Sequence, residues 1–158
     1  MSGVDAIYMK TPGSSSYGNM GTSTTVSSSG TNGLYSFYAK DKAGNISRTY
    51  FLYLDTVKPT GKIKNSNGTE ITGSYTNQTF SYSATDSGSG ISYLQYKKPS
   101  SSSWLTYTSG TSISASAASG TYQFRAVDKA GNISATKSIT LDLSLIHISE
   151  PTRQEAIS

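Results

Sequence analysis

Carboxylates and a side-chain amide are the groups in this chain whose types and spacing could do chemistry. Asp86, Asp128 and Asp142, with Asn132, read as loop residues, Asp86 and Asp128 each in a Gly-containing turn. Oxygen ligands gathered at one end of a β-structure could hold Ca²⁺, but two or three carboxylates fall short of the roughly six to eight oxygens that this ion takes. The competing reading is that each Asp accepts backbone N–H groups within its own turn. As a catalytic pair, Asp86 and Asp128 lack any nearby aromatic sequence that would form a substrate cleft. The chain has no Cys, which removes disulfides, thiolate metal ligands and a Cys nucleophile. Its one His is His147, close to the C-terminus. The sequence therefore offers no catalytic residue, cofactor site or complete metal site, and the expectation is a protein that is not an enzyme.

A second candidate is an aromatic face. Tyr38, Phe51 and Tyr53 stand at outward positions of two strand-like segments. Either they pair with one another across a sheet, or they form a face for sugar or protein, or they contact a neighbouring domain.

The elements that must position these residues are short strands. Ser, Thr, Gly, Asn and Tyr dominate the composition, which disfavours helices and favours strands joined by polar turns. The 12 Tyr suit a core with little Leu, because each buries a ring while its hydroxyl stays wet. The net charge of +4 comes from 13 Lys and Arg scattered singly apart from Lys97-Lys98, so no basic stripe matches a nucleic acid backbone. No apolar run is long enough for a membrane-spanning helix.

The sequence repeats itself. GLYSFYAKDKAGNIS at 33–47 returns as GTYQFRAVDKAGNIS at 120–134, an offset of 87 residues. Without a gap, the same offset places Ser2-Gly3-Val4 on Ser89-Gly90-Ile91, Pro12 on Pro99, Tyr17 on Trp104 and Leu54-Asp55 on Leu141-Asp142. One unit of about this size is a small sandwich. Residues 56–142 are expected to be a complete unit, and 1–55 the later part of another. Within 56–142, strands are expected near 61–64, 79–86, 91–98, 104–108, 111–115, 121–128 and 135–141, each bounded by Gly, Ser, Pro or Asn. Alternation puts Phe80, Tyr82 and Ala84, then Tyr122, Phe124 and Ala126, then Ile139 and Leu141 on buried faces. Asp128-Lys129-Ala130-Gly131-Asn132 joins the last two strands, with Gly131 free to take positive φ.

Three stretches carry a family resemblance: the linker Asp55-Thr56-Val57-Lys58-Pro59-Thr60, the run from Ala84 to Ile91, and Ala126-Val127-Asp128-Lys129-Ala130-Gly131-Asn132. Together they resemble the bacterial immunoglobulin-like domains, which are close in shape to fibronectin type III, over residues 1–142. The resemblance implies an all-β sandwich of about seven strands per unit. It also implies an extracellular or cell-surface setting and a structural, spacer or adhesive role beside neighbouring repeats of the same chain. The alternative is an accessory module that binds carbohydrate within a secreted glycoside hydrolase. Partners consistent with these readings are cell wall, a host surface or polysaccharide, with no nucleic acid and no membrane span. From Leu143 the repeat correspondence ends, and LSLIHISEPTR at 143–153 resembles the translation of a transposase adaptor used in shotgun library preparation. Residues 143–158, His147 included, are on that resemblance a non-native tail.

Overall fold

The computed structural model describes residues 1–144. They form eleven strands: β1 (Val4–Lys10), β2 (Gly18–Asn19), β3 (Gly33–Asp41), β4 (Tyr50–Leu54), β5 (Thr60–Asn65), β6 (Tyr75–Thr76), β7 (Phe80–Thr85), β8 (Ile91–Lys97), β9 (Leu105–Tyr107), β10 (Gly120–Asp128) and β11 (Lys137–Leu141). The fold class is all-β. No described helix is long and apolar enough to cross a membrane.

The chain divides into two compact units, one comprising Met1–Val57 with Ser87–Ser89, the other Lys58–Asp86 with the residues from Gly90 onward. In the second unit, β5 pairs antiparallel with β7, and a five-stranded sheet runs in the order β6-β11-β10-β8-β9. The two sheets enclose a core of Ile63, Phe80 and Tyr82 from one side and Leu94, Tyr107, Tyr122, Phe124, Ala126, Ile139 and Leu141 from the other. This is a β-sandwich, and the alternation expected from the sequence sets its inner face. Its centre is aromatic: Tyr82 stacks on Phe124 at 5.0 Å, and Phe80 meets Tyr122 edge-on at 5.6 Å. Tyr82 is fully buried and comes so close to Gly61 that a Cβ there would overlap its hydroxyl and ring. Glycine at position 61 is thus a packing requirement.

In the first unit, one four-stranded sheet runs in the order β2-β1-β3-β4. It reproduces β9-β8-β10-β11, and the registers agree. Tyr35 lies opposite Leu52 as Tyr122 lies opposite Ile139, and Gly33 opposite Leu54 as Gly120 opposite Leu141. Strands equivalent to β5, β6 and β7 are absent from the described residues of this unit.

One expected strand did not form. Residues 111–115 contribute only a bridge, Ile113 opposite Phe80, in which the two residues exchange N–H···O bonds of 3.0 and 2.7 Å. The physical reason is side-chain competition: the Ser114 hydroxyl accepts from the Ser116 N–H at 3.1 Å and the Ser114 carbonyl from the Ala117 N–H at 2.9 Å, which turns the chain away. The seventh strand of the unit is instead β6, which pairs parallel with β11. At the end of the unit Leu143 packs against the core, and the Ser144 N–H donates to Asp142 Oδ1 at 2.9 Å. The remainder of the proposed tail, with His147, Glu150 and Glu155, lies outside the described residues.

Candidate functional site: the acidic turns and the aromatic face

The DKAGN turn follows β3 in one unit and β10 in the other, and its geometry is the same in both. Asp128 Oδ1 accepts from the N–H groups of Ala130 at 2.9 Å and Asn132 at 2.8 Å, while Oδ2 accepts from Asn132 Nδ2 at 2.8 Å. Asp41 makes the same three bonds to Ala43 and Asn45 at 2.9, 2.8 and 2.8 Å. The fourth residue of the turn is Gly44 or Gly131, with φ of 92° and 96°, a region that side chains beyond glycine rarely adopt. The second turn residue also ties the turn to the start of a neighbouring strand. Lys42 N–H donates to the Gly3 carbonyl at 3.1 Å, and Lys129 N–H to that of Gly90 at 2.9 Å. The motif's Ser closes the arrangement: Ser47 and Ser134 Oγ each accept from an Ala N–H at 2.9 Å and donate to the next carbonyl. Thus Asp, Gly, Asn and Ser of the repeated motif are each engaged in holding the turn.

Asp128 is buried and Asp86 half-buried, and their carboxylate oxygens come within 4.8 Å of each other. Asp86 Oδ2 accepts from the Gly90 N–H at 2.8 Å. Asn132 presents its Nδ2 donor to Asp128, so its amide serves the turn. Asp142 lies elsewhere. β10 and β11 are antiparallel, with Gly120 opposite Leu141, so Asp142 follows the sheet end where β10 begins, whereas Asp128 closes the far end of β10. Nine residues of strand separate the two ends, roughly 25 Å at 3.3 Å per residue. Of the four oxygen-bearing candidates, Asp86, Asp128 and Asn132 come together and Asp142 does not. Hydrogen bonds hold three carboxyls below the usual range: Asp41 through Asn45, Asp55 through Ser89 and then Val57, and Asp142 through Ser144.

The aromatic candidates also separate. Tyr38 stacks on Tyr8 of β1 at 4.9 Å with 10° between the rings, and Tyr17 meets Tyr38 edge-on at 4.9 Å. Lys10 Nζ sits 5.4 Å from the Tyr17 ring centre. The second unit builds the same clamp from other residues: Arg125 and Lys97 lie 4.2 and 4.8 Å from the Trp104 ring centre, and Arg125 Nε donates to Gln95 Oε1 at 2.8 Å. Tyr38 therefore belongs to a packing cluster over the outer face. Phe51 and Tyr53 lie opposite Ser36 and Leu34 on β4 and remain 65% and 48% exposed.

Sequence reasoning did not single out the hydroxyls of Tyr35 and Tyr122, which donate to the carbonyls of Thr31 and Ala118, each at 2.9 Å. Both Tyr enter a sheet strand just after a Gly, and each ties that strand to the loop four residues upstream. The repeat alignment, which puts Tyr35 on Tyr122, was the signal available. No protein-family model matches the chain, and no curated protein matches it.

Proposed function

We propose that the chain is a non-catalytic spacer built of immunoglobulin-like units, part of a surface or secreted bacterial protein that gains length by repeating them. One observation carries this reading: the side chains common to both copies of the motif are committed to holding turns and strand entries. Asp41 and Asp128 accept from backbone N–H groups of the turn and from the Asn45 and Asn132 side-chain amides, and Ser47 and Ser134 bond adjacent backbone. A tyrosine that bonds back from the entry of a strand, as Tyr122 does to Ala118, is also a habit of immunoglobulin-like sandwiches and supports the finer fold assignment.

The parent reading frame tests the proposal. Further copies of the 87-residue unit between an export signal and a wall anchor are the expected result. A catalytic glycoside hydrolase domain joined to these units would replace the spacer by an accessory module. The exposed Phe51 and Tyr53 favour that second reading, because flat aromatic rings on a sheet face can receive sugar rings. Retention of the chain on insoluble polysaccharide, lost in Phe51→Ser with Tyr53→Ser, is the result that reading requires and the spacer reading excludes.

A further inference from the structure

The inner face of the first unit is apolar; Gly30 and Thr31 lie over Tyr35 and Leu54 at one end of it, and the rest is open among the described residues. Leu52 is 48% exposed where Ile139, its equivalent, is 1% exposed, and Tyr50 beside it is 53% exposed. Phe37 is half-buried where Phe124 is fully buried. A depression of about 360 Å³ opens on this face, lined in part by Ile7, Phe37, Ala39 and Tyr50.

The second unit shows what fits there, because its sheet is the same sheet in the same register. Over Phe124, the equivalent of Phe37, lie Tyr82, stacked at 5.0 Å, and Phe80, edge-on at 6.2 Å, both from β7. The backbone fits as well. Ile113 exchanges two hydrogen bonds with Phe80, and Gly110 N–H donates to the Tyr82 carbonyl at 3.1 Å. Thr140 N–H on β11 donates to the Ser74 carbonyl at 2.8 Å, beside β6. The repeat places Val26, Ser23 and Tyr53 at these positions in the first unit. Val26 and Ser23 make none of these bonds among the described residues, and Tyr53 stands on β4, the edge of its sheet. An apolar depression on this face, the backbone of Ser23 and Val26 in the segment after β2, and the β4 edge at Tyr53 correspond, by the repeat, to the groups that hold the β5–β7 segment and β6 in the second unit.

We propose that the inner face of the first unit is an acceptor site for a β-segment of the 58–86 type, supplied from outside this unit. Recognition requires an antiparallel strand pair that presents aromatic rings at alternate positions, as Phe80 and Tyr82 do, together with a short strand that extends the β4 edge. One segment of this kind serves the second unit in each chain, so an intact second copy has none to spare. The occupant is an additional segment.

The experiment uses the full chain. A peptide of residues 58–86 is titrated into it, and in a parallel form residues 56–87 are joined directly ahead of Met1, the register the repeat dictates. Amide exchange is read at Val26, Phe37 and Leu52, with Phe124 and Ile139 as covered references. The expected result is slowing by at least about tenfold in one or both forms, with one-to-one stoichiometry for the peptide. The effect is lost in Leu52→Asp and kept in Phe51→Ser, which changes the opposite face. Unchanged exchange in both forms overturns the proposal. So does self-association of the chain through this face that added peptide leaves intact, which would make a second copy the occupant.

Discussion

Ile139 and Leu52 occupy the same place in two copies of one sheet, so truncating each to Ala isolates the effect of the covering layer. Ile139 is 1% exposed and faces Tyr122 across the β10–β11 pair inside a closed core. Removing three of its carbons there leaves a cavity and costs about 2–5 kcal/mol. For a unit of this size, that lowers the melting temperature by roughly 10 °C or more. Leu52 is 48% exposed, so about half of the roughly 1.5–3 kcal/mol available from burying such a side chain is already forgone, and no closed cavity forms. Its truncation is expected to cost about 1 kcal/mol or less. The two units can be read separately. Trp104 is the only Trp and lies in the second unit, so its fluorescence follows that unit, while amide exchange in β3 follows the first. If Leu52→Ala costs its unit as much as Ile139→Ala costs the other, Leu52 is covered and the account of an open face is wrong.

Gly61→Ala is expected to destabilise the second unit by about 1–3 kcal/mol, since the new Cβ overlaps Tyr82, and Tyr82→Phe in the same chain should recover part of that loss. Tyr122→Phe removes a hydrogen bond to Ala118 without changing the ring and should cost about 1 kcal/mol, or roughly 4–8 °C in the Trp104 transition. Stability should fall at both ends of the pH scale. Asp41, Asp55 and Asp142 have folded-state values below the ordinary carboxyl range, so their contribution is complete above about pH 5 and fades as pH drops through those lowered values. Tyr82, Tyr107 and Tyr122 are raised by burial, so their contribution is complete below about pH 10 and is lost as pH climbs through the raised values. A melting temperature that stays level from pH 3 to pH 11 would refute both halves.

How much of this was legible in the sequence depended on whether a residue's role was local or long-range. Alternation along 79–86 and 121–128 placed Phe80, Tyr82, Tyr122, Phe124 and Ala126 on inner faces, because a period of two is a property of the strand itself. The role of Asp128 in its turn was legible for the same reason, its partners being two and four residues away. β6 was not legible. It is two residues long and pairs in parallel with a strand more than sixty positions later, and neither fact leaves a periodic signature. The loss of the strand at 111–115 depended on a Ser side chain outcompeting the sheet, where composition pointed the other way. At the aromatic face, parity put Tyr38, Phe51 and Tyr53 on one side correctly. Register with β1 then took Tyr38 into a stack with Tyr8 and left the other two exposed. Asp86, Asp128 and Asp142 all stand at the C-terminal end of a strand, but only the direction of β11 reveals that Asp142 sits at the other end of the sheet.

The two copies also separate what a hairpin owes to its turn from what it owes to its surroundings. β3–β4 and β10–β11 share their register from Gly33 opposite Leu54 through Phe37 opposite Tyr50, and the three Asp bonds in their turns have the same lengths, 2.9, 2.8 and 2.8 Å. Yet, among the described residues, one hairpin has a second sheet packed on its inner face and the other does not. Turn chemistry and strand pairing therefore suffice to define this hairpin's geometry, and the covering layer acts mainly through burial of Phe124, Ile139 and Leu141. A unit organised in this way tolerates change over much of its surface. Ser138 and Thr140 in one copy become Phe51 and Tyr53 in the other, and Gln95, Arg125 and Trp104 become Tyr8, Tyr38 and Tyr17, with the register undisturbed. Such freedom lets the outer faces of the two copies diverge while their turns stay fixed.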